Sequence, residues 1–599
     1  MKIVPGLAAL ACAALASALP ALAWQETPEA SSVFGDEIEV RVINVEVVVT
    51  DGKGNRTPDL KPGDFRLRVD GKPVPIEYFT EVREGQAVAA PAPAAPNASD
   101  TPEPAVAGLP AVEPGAPVGT NYLVFVDDYF LIARQRDDVL QSLKRDLSGL
   151  RPEDRMSVIA WDGGRLSRLV DWTSSREEIA GALEQAMKRP TRGLDRAADY
   201  RSFLLDDEFI KSANSDPEFG EEGADEILKR LASPGLSMKQ RAYGEGLSRQ
   251  IGSAVSAVVS AMRGSGEPAG RKVLLLLSGG WPFSILSYLG AGEPTLSLEE
   301  MPTGEQLFGP LTRTANLLGY TVYPIDVPGL TSVAADATVD PMAGRGSVIM
   351  GLDATSDRPN ADLRKSIGAQ KPMPAMLTDF KNLIEQELQG SLEFIAQETG
   401  GKPILNSNRT LALASASADT RSYYWLGFSP SWRRDDKSHK IKVEALRPGL
   451  EVRARNDFLD LSRQAEVAMK IESALLFGGL PGDERLALRL GAPASRKGKG
   501  VEIPITLGIP VSAMTVLPVD GKYVAELELR FAATDDRGNQ SDIPAVPLKL
   551  SSSQAPAEGK YVRYETKLVL NGKARHIVAA IYDRASGKIA AAEADVAAN

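Results

Sequence analysis

Cysteine is almost absent: Cys12 is the only one in 599 residues. It falls in an apolar opening stretch, Ile3 to Ala18, which follows Lys2 and leads to Ala21-Leu22-Ala23 before Trp24. A positive start, a short apolar run and an A-x-A site describe a secretory signal peptide, so residues 1–23 are expected to be removed on export. A mature chain without cysteine has no disulfides, thiol nucleophile or thiolate metal site, and packed cores must hold its domains. Histidine is nearly as scarce, with two residues, His439 and His576. Both lie in alternating, strand-like segments and read as surface residues, and no G-x-S-x-G elbow accompanies them for a Ser-His-Asp site. Basic excess is missing too. With 68 Lys and Arg against 79 Asp and Glu the net charge is -11, which excludes the basic stripe that nucleic acid requires. After the opening stretch no segment reaches the roughly 20 apolar residues of a membrane span. No G-x-G-x-x-G or Walker loop offers a phosphate cradle.

What is present is patterned in blocks. Residues 35–83 alternate as strands, with Asp70-Gly71 as a hairpin turn, and form an antiparallel unit too small to stand alone. Residues 84–119 are rich in Pro and Ala and read as a linker. From Asn121 the pattern changes to buried strands alternating with helical faces such as Leu140, Leu143, Leu147 and Leu150. Ser174 and Glu177 are placed as a capping box, and Gly400-Gly401 as a glycine stop followed by a last short strand, Lys402 to Leu405. This block, 120–405, implies a parallel sheet with helices on both faces, interrupted by insertions near 190–239 and 328–376. Strands return in 406–458, a connector spans 459–499, and 500–599 reads as a second β-sandwich of immunoglobulin type. Pairing of 35–83 with 419–458 would complete one sandwich, with the α/β block inserted into it.

The first strand of that block ends in Asp127 and Asp128, at the sheet edge where open α/β sheets bind ligands. Ser278 and Asp326 are further oxygen donors at strand ends. Tyr129 and Trp281, beside the same edge, are candidates for contact with a partner.

Several motifs, in order, carry a resemblance. The block from Asn121 to Leu405 resembles the von Willebrand factor type A fold, through its strand order, Leu274-Leu-Leu-Leu-Ser-Gly-Gly280 and Glu398-Thr-Gly-Gly-Lys402. Residues 35–458 also look like the bacterial, largely acidobacterial, family of VWFA-related domain proteins. The match rests on Val45-Glu-Val-Val-Val-Thr-Asp-Gly-Lys-Gly-Asn55, Leu60-Lys-Pro-Gly-Asp-Phe65 and Tyr423-Tyr-Trp-Leu-Gly-Phe-Ser-Pro430. The resemblance implies a multi-domain chain, with a doubly wound, Rossmann-like α/β type A domain flanked by immunoglobulin-like β-sandwiches. It also implies a Mg²⁺ site of the form D-x-S-x-S with a later Thr and an S-D-G. Here Asp127 matches the first Asp, but Tyr129 and Leu131 stand at the two Ser positions and Gly279 at the last Asp. The site is therefore expected to be degenerate. No cofactor is expected, or else Mg²⁺ or Ca²⁺ at a site rebuilt from Asp127, Asp128, Thr191, Ser278 and Asp326. The expected function is that of an exported (periplasmic, secreted or surface-associated), non-enzymatic binding, adhesion or assembly protein for a protein or surface polymer. A cation-dependent adhesin and a hydrolase using acidic residues are the alternatives, the latter needing two carboxyls about 5 to 10 Å apart.

Overall fold

The computed structural model describes residues 3–5, 25–26, 42–88, 115–205, 238–266, 268, 270–279, 281–289, 301–327, 373–430, 434–477, 480, 484–495, 501–535, 541, 543–557, 559–570 and 574–596. The protein is mixed α/β with several sheets, and it divides into two compact units. One is Val40–Ser431 with Lys437–Asp460; the other is Met1–Glu39, Trp432–Asp436 and Leu461–Asn599. Most of the expected leader, the linker from 89 to 114 and the insertion cores at 206–237 and 328–372 lie outside the described residues.

The larger unit is built on β1 (Thr120–Asp127), in which all eight residues are buried. A strand with no polar alternation needs cover on both faces, which parallel neighbours with helical crossovers supply. Parallel partners β2 (Arg155–Trp161) and β4 (Arg271–Ser278) flank it, β5 (Tyr320–Asp326) runs parallel to β4, and β3 (Leu166–Thr173) is antiparallel to β2 at the other edge. The order is thus β3-β2-β1-β4-β5. Tyr122, Val124 and Val126 pack with Val139, Leu140 and Leu143 of α1 (Ala133–Asp146) and with Ile179 and Leu183 of α2 (Arg176–Met187). By alternation Leu123 and Phe125 face the other side, where α4 (Met238–Gly264) lies against β1 and β2. There α5 (Gly304–Leu318) and α6 (Met373–Glu398) lie against β5.

Local expectations shift by small amounts. The cap of α2 is Ser175, which accepts from Glu178 N, one residue beyond the expected pair. The first insertion opens with a helix, α3 (Gly193–Leu205), where an irregular segment was expected. At the end of α6 Gly400 takes the left-handed conformation (φ +73°), and a Cβ on Gly401 would stand 1.8 Å from Val322 O. The second glycine therefore serves close approach to β5 rather than the helix stop. The strand expected after it is reduced to a single parallel bridge, Ile325 to Ile404.

Around this block, strands from before and after it share two sheets. Ile43–Asp51 pairs with both Tyr423–Phe428 and Leu450–Ala454, in registers that set Val47 opposite Tyr424 and Val49 opposite Val452. Phe65–Val69 pairs with Ser438–Ala445, Leu67 opposite Val443. The rings of Phe65, Phe79 and Tyr424 meet at 5.4 to 5.9 Å. The Asp70-Gly71 turn is present with φ of +48° and +78°, but the chain then makes two strands, Lys72–Val74 and Tyr78–Arg83, because it crosses from one sheet to the other. The linker starts later than expected, since Gln86–Val88 still pairs with Tyr78–Arg83.

Ionic bonds join block and sandwich. Arg271, fully buried at the start of β4, sets its Nε 3.0 Å from Glu46 Oε2 and its guanidinium 4.3 Å from the Tyr423 ring centre. Asp419, at the end of α7 (Ala412–Thr420), accepts from Tyr323 Oη at 2.5 Å, from Arg56 and from Arg453.

In the smaller unit two β-sheets enclose one apolar cluster that includes Ile503, Ile505, Leu507, Leu527, Leu529, Leu568 and Ile577. Short strands at Ile3–Pro5 and Gln25–Glu26 add to one sheet each. The expected connector contains α8 (Arg463–Phe477), whose Val467, Ile471, Ala474 and Leu475 pack on Ala532, Val578, Ala580 and Ala591. The small residues on that sheet face leave room for a helix.

Gly401→Ala should cost about 1–3 kcal/mol through the clash with Val322. Gly52→Ala, in open space, should be nearly silent in the same urea melts.

Candidate functional site

The site is the loop that follows β1. Asp127 is completely buried. Its main-chain oxygen accepts from Leu131 N at 3.1 Å and its Oδ1 from Phe130 N at 3.2 Å, which turns the chain off the sheet. Oδ2 accepts from the Trp281 indole Nε1 at 3.1 Å. Burial pushes the Asp127 carboxyl up to about 7; the Phe130 and Trp281 donors pull against this, and the neighbouring Asp128 charge adds to it. Asp127 therefore sits in an apolar box, held by N–H donors.

Trp281 forms one wall of that box. It is completely buried, stacked on Phe308 at 6.0 Å and edge-on to Phe130 at 6.5 Å. The expectation that Trp281 is an exposed contact is corrected: the chain turns inward after Ser278-Gly279, and the indole N–H is spent on Asp127. Trp425, by contrast, is buried with Tyr423 (ring centres 5.2 Å apart), Val48, Val82, Ala87 and Val118, on the face of its strand opposite to Tyr424.

Asp128 is also fully buried, and its charge is matched twice. Its Oδ1 accepts from Arg136 Nη1 at 2.7 Å and its Oδ2 from Arg189 Nε at 2.6 Å. Burial pushes this carboxyl up, while the Arg189 and Arg136 guanidiniums pull it down. Arg136 has no exposed side-chain surface and does more than neutralise. It donates to Met187 O at 2.9 Å and Arg189 O at 3.0 Å, satisfying carbonyls at and just past the C-terminal end of α2. Arg192 N donates to Asp128 O and Gly193 N to Leu131 O, so the 189–193 loop is laid along the loop after β1. Gly193 permits this approach, because a Cβ there would stand 2.4 Å from Leu131 O.

The other candidates are only partly gathered. Thr191 lies half-buried in the docked loop, but neither carboxyl bonds to it. Ser278 is buried at the end of β4, next to β1, and its hydroxyl has no hydrogen-bond partner among the described residues. Asp326 is two strands from Asp127, about 10 Å across the sheet. Burial raises its carboxyl, while the Asn406 N–H and the charge of Arg409 lower it, so it belongs to the loop after Ile404. Leu131 is buried in the core. Tyr129 is half-buried, with its ring 5.4 Å from Trp161 and its hydroxyl accepting from Arg196 Nη1 at 3.2 Å. The sequence pointed to Asp127 and Asp128 but not to Arg189, because the loop that brings it is 61 residues away along the chain.

Asp128→Ala should cost about 3–5 kcal/mol, since it leaves buried Arg136 short of its counter-charge. The double variant Asp128→Leu, Arg136→Met should recover part of that in denaturant melts. The Asp127 carboxyl binds its proton more tightly folded (about 7) than at its ordinary value of 3.8. The stability this contributes is whole below pH 4 and is lost as pH rises through 7. Asp127→Asn should flatten the stability profile across that window, measured by unfolding midpoints from pH 4 to 8. Compared with known proteins, the chain matches no family model and no curated protein.

Proposed function

We propose that the chain is an exported, non-enzymatic binding or assembly protein whose central block is a type A-like domain that meets a protein or surface polymer without a bound cation. The observation that carries this reading is the Asp128 carboxylate clasped between Arg136 and Arg189. Two guanidiniums supply there the positive charge that a metal ion would supply in a type A site. Mg²⁺ requires oxygen ligands in octahedral array. At this edge Asp127 faces N–H donors, Leu131 is apolar, and Gly279 has no side chain. The residues present do not fit such an ion.

The sheet order, with one antiparallel edge strand and helices on both faces, supports the type A reading of the block. An immunoglobulin-like reading of the C-terminal sandwich is proposed in the same way, from its two sheets around one core. Among the described residues no helix is long and apolar enough to cross a membrane. The contact surface is placed at half-buried Tyr129 and Arg196, not at Trp281. The absence of cysteine from the mature chain and the scarcity of histidine support a role without catalysis.

The alternative, a cation-dependent adhesin, is favoured by one observation, the Ser278 hydroxyl next to the end of β1, which has no hydrogen-bond partner among the described residues. Calorimetric titration with Mg²⁺ and Ca²⁺ separates the two. No site tighter than about 1 mM that is lost in Asp127→Ala is expected. Retention on envelope polymer should survive chelator and drop in Tyr129→Ala. An Asp127-dependent site, or release by chelator, would replace this reading with the adhesin.

A further inference from the structure

His439, expected on the surface, is buried, and the residues around it form a second centre of charge far along the chain from the β1 loop. The Asp70-Gly71 turn sends the Asp70 carboxylate back onto the strand Ser438–Ala445. Its Oδ1 accepts from Lys440 N at 2.9 Å, and its Oδ2 stands 2.7 Å from His439 Nδ1. The imidazole is stacked on Phe458 at 5.2 Å. Strand Asp457–Leu459 pairs with this one so that His439 is opposite Phe458 and Ser438 opposite Leu459, and Asp460 N donates to Lys437 O. Asp460, two residues beyond Phe458, therefore falls on the same face as His439. A His439 ring nitrogen and an Asp460 carboxylate oxygen lie within 4.8 Å of each other. His439 is 8% and Asp460 2% exposed.

The roles of these groups follow from their chemistry. An ionised carboxylate only accepts, so Asp70 places the imidazole proton on Nδ1. A neutral imidazole then presents a lone pair at Nε2, and Asp460 presents carboxylate lone pairs in the same buried space.

We propose that His439 Nε2 and the Asp460 carboxylate hold a divalent transition-metal cation, Zn²⁺ or Mn²⁺, with Asp70 as the carboxylate that orients the imidazole. One imidazole and one carboxylate form a borderline N/O donor set, which suits these ions better than Ca²⁺ or Mg²⁺. A carboxylate on the far ring nitrogen is the usual support for a ligating histidine. Tetrahedral ligation sets N and O about 3.4 Å apart, a modest contraction from the observed limit. Water completes the shell.

The test uses the full chain, stripped with chelator and titrated with ZnCl₂ and with MnCl₂ by calorimetry. One saturable site of micromolar affinity and a higher melting temperature at saturating cation are expected. His439→Gln and Asp460→Asn should each weaken it at least about tenfold, as should Asp70→Asn, while Asp127→Asn leaves it unchanged. Co²⁺ added to the unaltered chain should give a visible absorption band, which keeps the test independent of how the variants fold. Neither cation bound by the unaltered chain, or uptake equal in His439→Gln and Asp460→Asn, overturns the proposal. So does a melting temperature that ignores cation and falls as pH rises through the histidine range, the signature of an imidazolium in place of a metal. Because the Asp127 variant reports on the β1 loop alone, failure here leaves the reading of that loop standing.

Discussion

The loop at the carboxyl end of the central sheet depends on one buried ion pair, Asp128 with Arg136. A charge taken out of water is costly unless it is matched and hydrogen-bonded on every side. Here the match is nearly complete: two guanidiniums on one carboxylate, and two carbonyls, at and just past the end of α2, on Arg136. The pair consequently ties three pieces of chain together, the end of β1, the start of α1 and the C-terminus of α2. The loop that carries Thr191 then docks through Arg192 and Gly193. A metal site needs the same place, the same carboxylates and the same charge. In the reading proposed above, the arginines fill that need with covalently attached cations, which would free the loop from dependence on ion concentration.

Asp127 is governed by the opposite condition. Among the described residues it has no cation within bonding distance, only N–H donors and aromatic walls, so its proton is held into the neutral range. Adjacent residues with identical side chains thus take different states, one paired and one largely desolvated. Trp281 is central to this, because its indole gives both the apolar wall and the donor.

A second set of charges, with Arg271 buried and the others half-buried, holds the block within its sandwich. Arg271 reaches Glu46, and Asp419 gathers Arg56, Arg453 and Tyr323. Glu46 lies on a strand before the block and Arg453 on one after it, Arg56 follows the first of these, and Tyr323 belongs to β5 of the block. Sandwich strands drawn from both ends of the insertion make the fold of one part conditional on the other. Neither β segment has enough apolar surface to form a core alone.

Much of the architecture was legible in the sequence because it depends on short-range pattern. Continuous apolar runs marked β1 and β4, alternation marked the flanking strands, and Asp70-Gly71 marked a turn that is present. The C-terminal strands followed from alternation and turn residues in the same way. Partners remote in sequence were not legible, since nothing at Asp128 specifies Arg189, and nothing at His439 specifies Asp70. Trp281 illustrates the limit: its position after a strand at the ligand edge suggested exposure, and only packing against Phe308 and Phe130 decided that it is buried. The sequence by itself determined which elements form and which oxygen donors a type A metal site would lack, because both are properties of residue type and spacing. The tertiary structure alone decided what became of Asp127 and Asp128, because a carboxylate's state is set by whatever the fold brings against it.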